Sequence, residues 1–459
     1  DAAAGTGTAD APLYVWLGDG PLLVSPSAAR IAAALAGRRG LPAEFRAAVV
    51  AGYRGGVDAL LAVDVPRVAA EAIDHGGAAA DAAVDPLGLA GARYAVVTQA
   101  RDGDRTRIEA ELTFGADRSG MAGWLAEPGA MGTLDYVSPD AYVAGAALID
   151  APEKVVADFV GLSRAAALDA GDPGAVGNAG DSLPADVLAD LADALGGEVA
   201  FAVDGPLLPE PAWKLVVEVA DPAALQAALD RAVAAVNARM AGDGLDAALA
   251  LSSAARDGRT VWTLALAGDA APRALGGAAD AAGTLGSGGA AGAGEIPAMH
   301  WLYTDGYLIA AADPGLLTTA IRIRESGVTL PRSDAFARAL PAGAETDFSA
   351  VLWQDLGRLT RVLAGAAGDG AGGQGPGAED LALGDLAAKV APSLVYAWAE
   401  PRRLRFAGAT ESSPLGFAVL LRLLGGATGG GPGGADVPAP GGLPWPASPL
   451  DGGPASSRT

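Results

Sequence analysis

The chain has 459 residues, a formal net charge of −23 at pH 7, 51% hydrophobic residues and no cysteine. A chain of this length exceeds what one hydrophobic core usually serves, so we expect more than one structural unit. The acidic balance argues against nucleic acid and anionic membrane surfaces as partners, because both select for an excess of lysine and arginine. The absence of cysteine excludes disulfides, thiolate zinc sites and a cysteine nucleophile.

In chain order, the first predicted elements are repeated almost 300 residues later. Residues 12–68 carry a strand pattern, an Asp-Gly turn at Asp19, a second strand pattern and a helix that contains Phe45. The same order returns from residue 301, with its Asp-Gly turn at Asp305 and a helical phenylalanine at Phe336. Because matched sequence patterns specify matched folds, an internal repeat is a strong guide to architecture.

The clearest strand pattern of the first copy spans residues 106–114. Ile108 and Leu112 fall on one face of this strand, and Glu109 and Glu111 fall on the other. One-sided alternation favours antiparallel sheets that helices cover on one face, rather than a parallel sheet buried on both faces. We therefore predict an α+β fold of duplicated modules, in which residues 12–130 and 298–424 share one strand–helix arrangement.

The repeat also suggests how the chain is divided. Residues 1–132 correspond to the second half of a repeat, and residues 133–425 correspond to a complete repeat. We expect residues 268–295, which are rich in glycine and alanine, to form a flexible loop. Residues 426–459 are rich in proline and glycine, and we expect a disordered tail.

This division predicts an incomplete first module. Its sheet would lack strands that residues 133–267 supply to the second module, and the missing counterpart would lie before Asp1. An open sheet edge or apolar face is costly and invites pairing with another chain. We therefore expect the first module to take cover from the complete repeat, to self-associate, or to be the less stable part.

Residues that could carry chemistry are few. The two histidines, His75 and His300, fit a helix C-terminus and a strand position respectively. Residues 286–291 imitate a dinucleotide-binding fingerprint, but they lie in a glycine and alanine run that does not link a strand to a helix. We predict no catalytic, cofactor-binding or metal-binding residues.

Asp64 and Asp355 occupy equivalent positions in the two copies. A pair of carboxylates can act as acid and base in hydrolysis. Each aspartate, however, follows a strand and precedes an apolar segment, where an aspartate caps the next helix. We therefore expect two helix caps.

Several segments resemble a bacterial family, the domain of unknown function 3352 family. Residues 200–236 contain a strand, the helix start Asp221-Pro222 and an alanine-rich helix; residues 301–356 and 120–132 also match the pattern. The resemblance covers most of residues 12–425. It implies an exported or membrane-tethered protein, usually with an N-terminal hydrophobic segment. The family has no catalytic residues to carry over.

Two function classes fit these observations. The first is a non-enzymatic scaffold or binding protein outside the cytoplasm (periplasmic, secreted or surface-tethered), whose partner is an unknown protein or envelope component. The second is an extracytoplasmic hydrolase that uses carboxylates alone. Two partly buried carboxylates with separated pKa values would favour the hydrolase. We favour the first class, and we expect no cofactor, no nucleic acid partner and no membrane-spanning segment, because no apolar run reaches about 18 uncharged residues.

Overall fold

The computed structural model describes fourteen stretches of the chain, and all structural statements below refer to these. They are residues 14–17, 23–25, 27–36, 42–68, 70, 88–102, 105–158, 183–208, 211–242, 244, 248–267, 298–340, 347–362 and 391–410. The predicted flexible loop and the predicted C-terminal tail lie outside the described residues.

The described residues contain fifteen strands and six principal helices. The strands are β1 (Tyr14–Trp16), β2 (Leu23–Ser25), β3 (Ala59–Asp64), β4 (Ala92–Asp102), β5 (Arg105–Phe114), β6 (Val143–Leu148), β7 (Leu195–Val203), β8 (Trp213–Val219), β9 (Ala248–Arg256), β10 (Arg259–Ala267), β11 (Met299–Thr304), β12 (Tyr307–Ala311), β13 (Ala350–Gln354), β14 (Ser393–Glu400) and β15 (Arg403–Thr410). The helices are α1 (Ala28–Leu35), α2 (Ala43–Arg54), α3 (Ala185–Ala194), α4 (Pro222–Gly242), α5 (Pro314–Ser326) and α6 (Asp334–Ala339).

Thirteen of these strands form one sheet, in the order β3-β4-β5-β15-β14-β13-β6-β7-β8-β12-β11-β10-β9. Every neighbouring pair is antiparallel. The remaining strands, β1 and β2, form a separate antiparallel hairpin. The fold is α+β and its sheet is antiparallel, as predicted.

The repeat is present in the order of the elements. The series β1, β2, α1, α2, β3, β4, β5 returns as β11, β12, α5, α6, β13, β14, β15. We call residues 12–130 the first copy and residues 298–424 the second copy. Residues 133–267, which contain β6–β10, α3 and α4, follow the first copy and precede the second, and we call them the insert.

Local sequence signals explain the turns and helix starts of the second copy. Asp305 and Gly306 both have positive φ, 49° and 82°, as a tight two-residue hairpin turn requires. Asp313 then accepts a hydrogen bond from the Gly315 backbone N–H at 2.5 Å, with Pro314 in the first turn of α5. The predicted helix start at Asp221 is formed in the same way, since its carboxylate accepts from two backbone N–H groups of α4 at 3.0 Å.

The two copies meet where β5 pairs with β15. Ala110 lies opposite Phe406, which is its own counterpart in the second copy. On either side, Ile108 pairs with Gly408 and Leu112 with Leu404. An approximate two-fold axis therefore passes between Ala110 and Phe406 and relates β3-β4-β5 to β13-β14-β15 within a single sheet.

Helices α2, α5 and α6 of the repeat pack on one face of the sheet, as predicted, and the insert covers part of the other face. Helix α1 packs on the separate hairpin β1–β2. Trp301 and Leu302 are adjacent in β11, so their side chains point to opposite faces. Leu302 belongs to the largest core, under α5 and α6, which contribute Leu317 and Phe336. Trp301 belongs to a second core with Leu225 of α4. Strands β8, β12 and β11 are thus covered on both faces.

Phe45 of α2 and Phe336 of α6 provide a matched test of how the two copies differ. Both are buried, with rings 5.4 Å from Tyr94 and 5.9 Å from Trp353. We expect Phe336→Ala to destabilise the protein by about 3–5 kcal/mol, because it opens a cavity in the largest core. Phe45→Ala should speed amide exchange in β3 and β4 and leave β11 and β12 unchanged, as measured by hydrogen–deuterium exchange.

The exposed Val50→Ala change on α2 is the control and should cost less than about 1 kcal/mol. Equal acceleration of β11 and β12 by both phenylalanine variants would contradict the assignment of these residues to separate cores.

Candidate functional site

Asp64 and Asp355 are helix caps. Asp64 Oδ1 accepts from the Arg67 backbone N–H at 3.4 Å, and Asp355 Oδ1 accepts from the Arg358 backbone N–H at 2.8 Å. Both precede a short helical segment, as the capping interpretation predicted. Five strand spacings separate β3 from β13, so the two carboxylates are at least about 24 Å apart and cannot form a catalytic pair.

In the described part of the chain, the histidines do not lie in a cluster of side chains that could act together in catalysis. His300 lies in β11 with its Nδ1 2.9 Å from Thr263 Oγ1, and partial burial lowers the pKa of its imidazole. His75 lies outside the described residues. Among the described residues, no group of three or more histidine, aspartate or glutamate side chains could hold a metal ion.

Sequence reasoning missed a buried polar cluster centred on Glu198 of β7. One oxygen of Glu198 accepts from both the backbone N–H and the hydroxyl of Thr133, each at 2.6 Å. The other oxygen accepts from the Tyr307 hydroxyl at 3.4 Å. The chain at Gly132 approaches Tyr307 so closely that a Cβ atom there would lie 2.4 Å from the hydroxyl oxygen. The carboxylate therefore ties the turn at residues 132–133 to the sheet.

Arg324 of α5 closes this cluster on its outer side. Its guanidinium lies 4.7 Å from the centre of the Tyr136 ring and 5.5 Å from that of Tyr307, and it donates to the Tyr136 hydroxyl. Burial, followed by the charges of Glu198 and its neighbour Glu218, raises the pKa of Tyr307 to about 12. Tyr307 is therefore neutral at ordinary pH, and the cluster is a set of satisfied structural contacts.

A second buried polar contact joins Lys214 of β8 to Asp204. Lys214 is 2% exposed, and its Nζ lies 2.6 Å from Asp204 Oδ2, which also accepts from the Ser138 backbone N–H at 2.8 Å. Burial lowers the pKa of Lys214, and the Asp204 carboxylate opposes that shift. The two charges are paired with each other, and Asp204 also binds the backbone, so the pair is a structural contact rather than a group held free for a substrate.

A shallow depression of ≈ 390 Å³ lies beside the start of the helix that follows β13. Its lining is Asp355, Arg358, Arg361 and Val362. Arg358 is bonded to Asp140 at 2.5 Å and lies over the Tyr142 ring, and Asp355 is a helix cap. The main charges of the depression already have partners within the protein.

The feature that most resembles a binding surface is on the first copy. Most of the exposed large apolar side chains in the described residues lie between residues 14 and 68, and we call these the first-copy surface. They are Tyr14, Val15, Leu17, Leu35, Val50, Tyr53, Leu61 and Val68. These residues lie on two parts of the first copy, namely the hairpin β1–β2 with α1, and α2 with β3 and the short helical segment after it. Several exposed apolar side chains in one part of a protein mark interaction surfaces more often than single ones do.

Comparisons with known proteins add little to this geometry. No family model matches the chain, and no curated protein matches it. A search of solved structures finds a similarity to the protein of "Structure of crystal form III of TP0453" at 8% sequence identity, with a TM-score of 0.29, covering 65% of this chain and 86% of that one. Similarity at this level supports no conclusion about function. In the described part of the chain, no helix is both long and apolar enough to cross a membrane.

The buried pair Lys214–Asp204 should contribute far more to stability than an exposed pair. Lys214→Met leaves Asp204 buried without its counter-ion and is expected to cost about 3–5 kcal/mol. The double variant Lys214→Met/Asp204→Asn should recover part of this loss, because the uncompensated charge is gone. Urea unfolding of the full chain measures both effects.

The control is Arg231→Met, which removes the exposed pair with Asp190. Its cost should be below about 1 kcal/mol. A loss of equal size in the control and in Lys214→Met would contradict this account of the buried pair.

Proposed function

We propose that this protein is a non-enzymatic binding protein or scaffold that works outside the cytoplasm and binds an unidentified protein or envelope component. The observation that carries the proposal is the first-copy surface. Its apolar side chains lie on the copy that has fewer strands around it, and the exposed Val15 of this copy corresponds to Trp301 of the second copy, which is buried. We propose that this surface is where the partner binds.

The carboxylates bind groups of the protein itself, and this supports a binding role over the hydrolase alternative. A carboxylate-dependent hydrolase needs two carboxyl groups within about 10 Å that can reach a substrate. Glu198 and Asp204 are buried, and each accepts hydrogen bonds from the protein itself. Asp64 and Asp355 cap helices in distant parts of the sheet.

A location outside the cytoplasm is supported by the resemblance to the domain of unknown function 3352 family, which implies an exported or membrane-tethered protein. The strongly acidic composition suits a protein partner better than nucleic acid. Self-association through the first copy belongs to the same proposal, because an apolar surface can also bind a second copy of the chain.

A comparison of two triple variants tests the proposal. The first, Val15→Ser/Leu17→Ser/Tyr53→Ser, alters the first-copy surface. The control, Met121→Ser/Leu208→Ser/Val328→Ser, alters exposed apolar residues elsewhere. Each protein is immobilised as the 459-residue chain and incubated with an envelope extract of the source cells, and the retained proteins are quantified by mass spectrometry.

Wild type and control should retain the same partner, and the first triple variant should lose it by about tenfold or more, because a few buried apolar anchors dominate binding. Equal retention by all three proteins would contradict the proposal. So would hydrolysis of an ester or glycoside substrate that disappears in Glu198→Gln while the fold is intact.

A further inference from the structure

The middle strands of the sheet have a second apolar face, opposite the largest core. Across β15, β14, β13, β6, β7 and β8, six residues lie opposite one another in turn and therefore share one face, namely Gly408, Val395, Leu352, Gly145, Phe201 and Leu215. The alternate residues of these strands, such as Val351 and Ala200, point the other way into the largest core. We call the face that carries Phe201 the central face.

The central face has the composition of a protein interior. In β14, β13, β6 and β7, none of the residues on this face is charged. A sheet face that meets water normally carries polar residues at such positions. Phe201, however, is 45% exposed, with its ring stacked on that of Trp213 at 6.4 Å, and Leu352 and Val395 are only half-buried. We therefore expect a cover on this face.

We propose that residues 411–424 of this chain, which lie outside the described residues, pack on the central face. This inference goes beyond the proposed binding role and does not depend on the first-copy surface. Among these fourteen residues are five leucines, Phe417 and Val419, and the charged residues are Glu411 and Arg422. Segments with apolar residues on all sides are found buried rather than at the surface of soluble proteins.

The position of β15 brings this segment to the central face. β15 ends at Thr410, beside the start of β14, and the chain continues directly into residues 411–424. Phe201 lies on β7, four strand spacings or about 19 Å from β15. A stretch of fourteen residues is about 21 Å long even when it is fully helical. The segment is therefore long enough to reach each strand from β14 to β7.

Other possible covers fit the central face less well. Large apolar side chains make up half of residues 411–424, but only about a fifth of residues 159–182 and 363–390, which also lie outside the described part of the chain. A second copy of the chain could also cover the face. Residues 411–424 have the advantage of their connection to β15, because a tethered segment has an effective concentration on the order of millimolar.

A proximity measurement in the full chain tests the contact without weakening it. The natural chain has no cysteine, so two introduced cysteines report one distance. Leu420→Cys is combined with Ala147→Cys, which lies on the central face in β6. The control combines Leu420→Cys with Val328→Cys, a 63% exposed position just after α5. A short bismaleimide should link the first pair within one chain about tenfold faster than the control pair, because only the first pair is held together.

Thiol labelling then shows whether this segment is the cover. In the chain that carries Ala147→Cys alone, adding Phe417→Asp and Leu420→Asp should raise the labelling rate about tenfold or more, because an apolar contact does not accommodate unpaired carboxylates. The control adds Leu381→Asp and Leu383→Asp instead, in another segment outside the described residues. It should leave the labelling rate unchanged.

Ala146→Cys reports whether the fold is intact, since Ala146 is the neighbouring position in the largest core and is 5% exposed. Its labelling should stay slow with both pairs of aspartates. If Phe417→Asp and Leu420→Asp unfold the chain, the cross-linking of Ala147→Cys, which needs neither change, decides alone.

Equal cross-linking of the two cysteine pairs overturns the inference. In a chain that stays folded, so does labelling of Ala147→Cys that is unaffected by Phe417→Asp and Leu420→Asp. A larger effect of Leu381→Asp and Leu383→Asp would assign the cover to that segment instead. Cross-links that mainly join two chains would assign the cover to a second copy.

Discussion

The pairing of β5 with β15 is the contact on which the rest of the structure depends. It joins the last strand of each copy across an approximate two-fold axis, so the strands of two similar modules form one continuous antiparallel sheet. Without this pairing, each copy would expose a long strand with unpaired backbone groups, which is the usual start of edge-to-edge aggregation. The contact also fixes which edges are left over, namely those of β3 and β13.

The two leftover edges then have different surroundings. The insert occupies the edge of β13, and it brings α3 and α4 to the second face of β8–β12. Its buried polar groups hold this arrangement in one register, because Glu198 and the Lys214–Asp204 pair each bind a backbone N–H of the segment between β5 and β6. A polar group buried in this way is costly unless its partners are in place, so these contacts favour a single packing of the insert. The first copy has none of this cover in its described residues.

The repeat, with its turns and helix starts, could be predicted because turns and helix caps depend only on residues that are close together in the sequence. Asp305-Gly306 and Asp313-Pro314 need only their own neighbours to form a hairpin turn and a helix start. The partner of β5 could not be predicted in this way, since alternation tells which face of a strand is buried and leaves open which strand lies beside it. The Glu198 cluster was hidden for a related reason. Tyr136 and Arg324 are 188 positions apart in the chain, and only the sheet brings them together. The one signal in the sequence was Glu198 itself, a glutamate inside an otherwise apolar strand pattern, because a glutamate is seldom buried without a partner.

Residue-resolved hydrogen exchange of β5 in the full chain shows whether β5 and β15 pair. The Phe114 backbone N–H donates to Arg402 at 2.9 Å, so by alternation the N–H groups of Ile108, Ala110 and Leu112 also point to β15. We expect these amides to exchange as slowly as the β5 amides that point to β4. If they instead exchanged at the rate of exposed amides while their neighbours stayed protected, β5 would be an edge strand, and the two copies would not share a sheet.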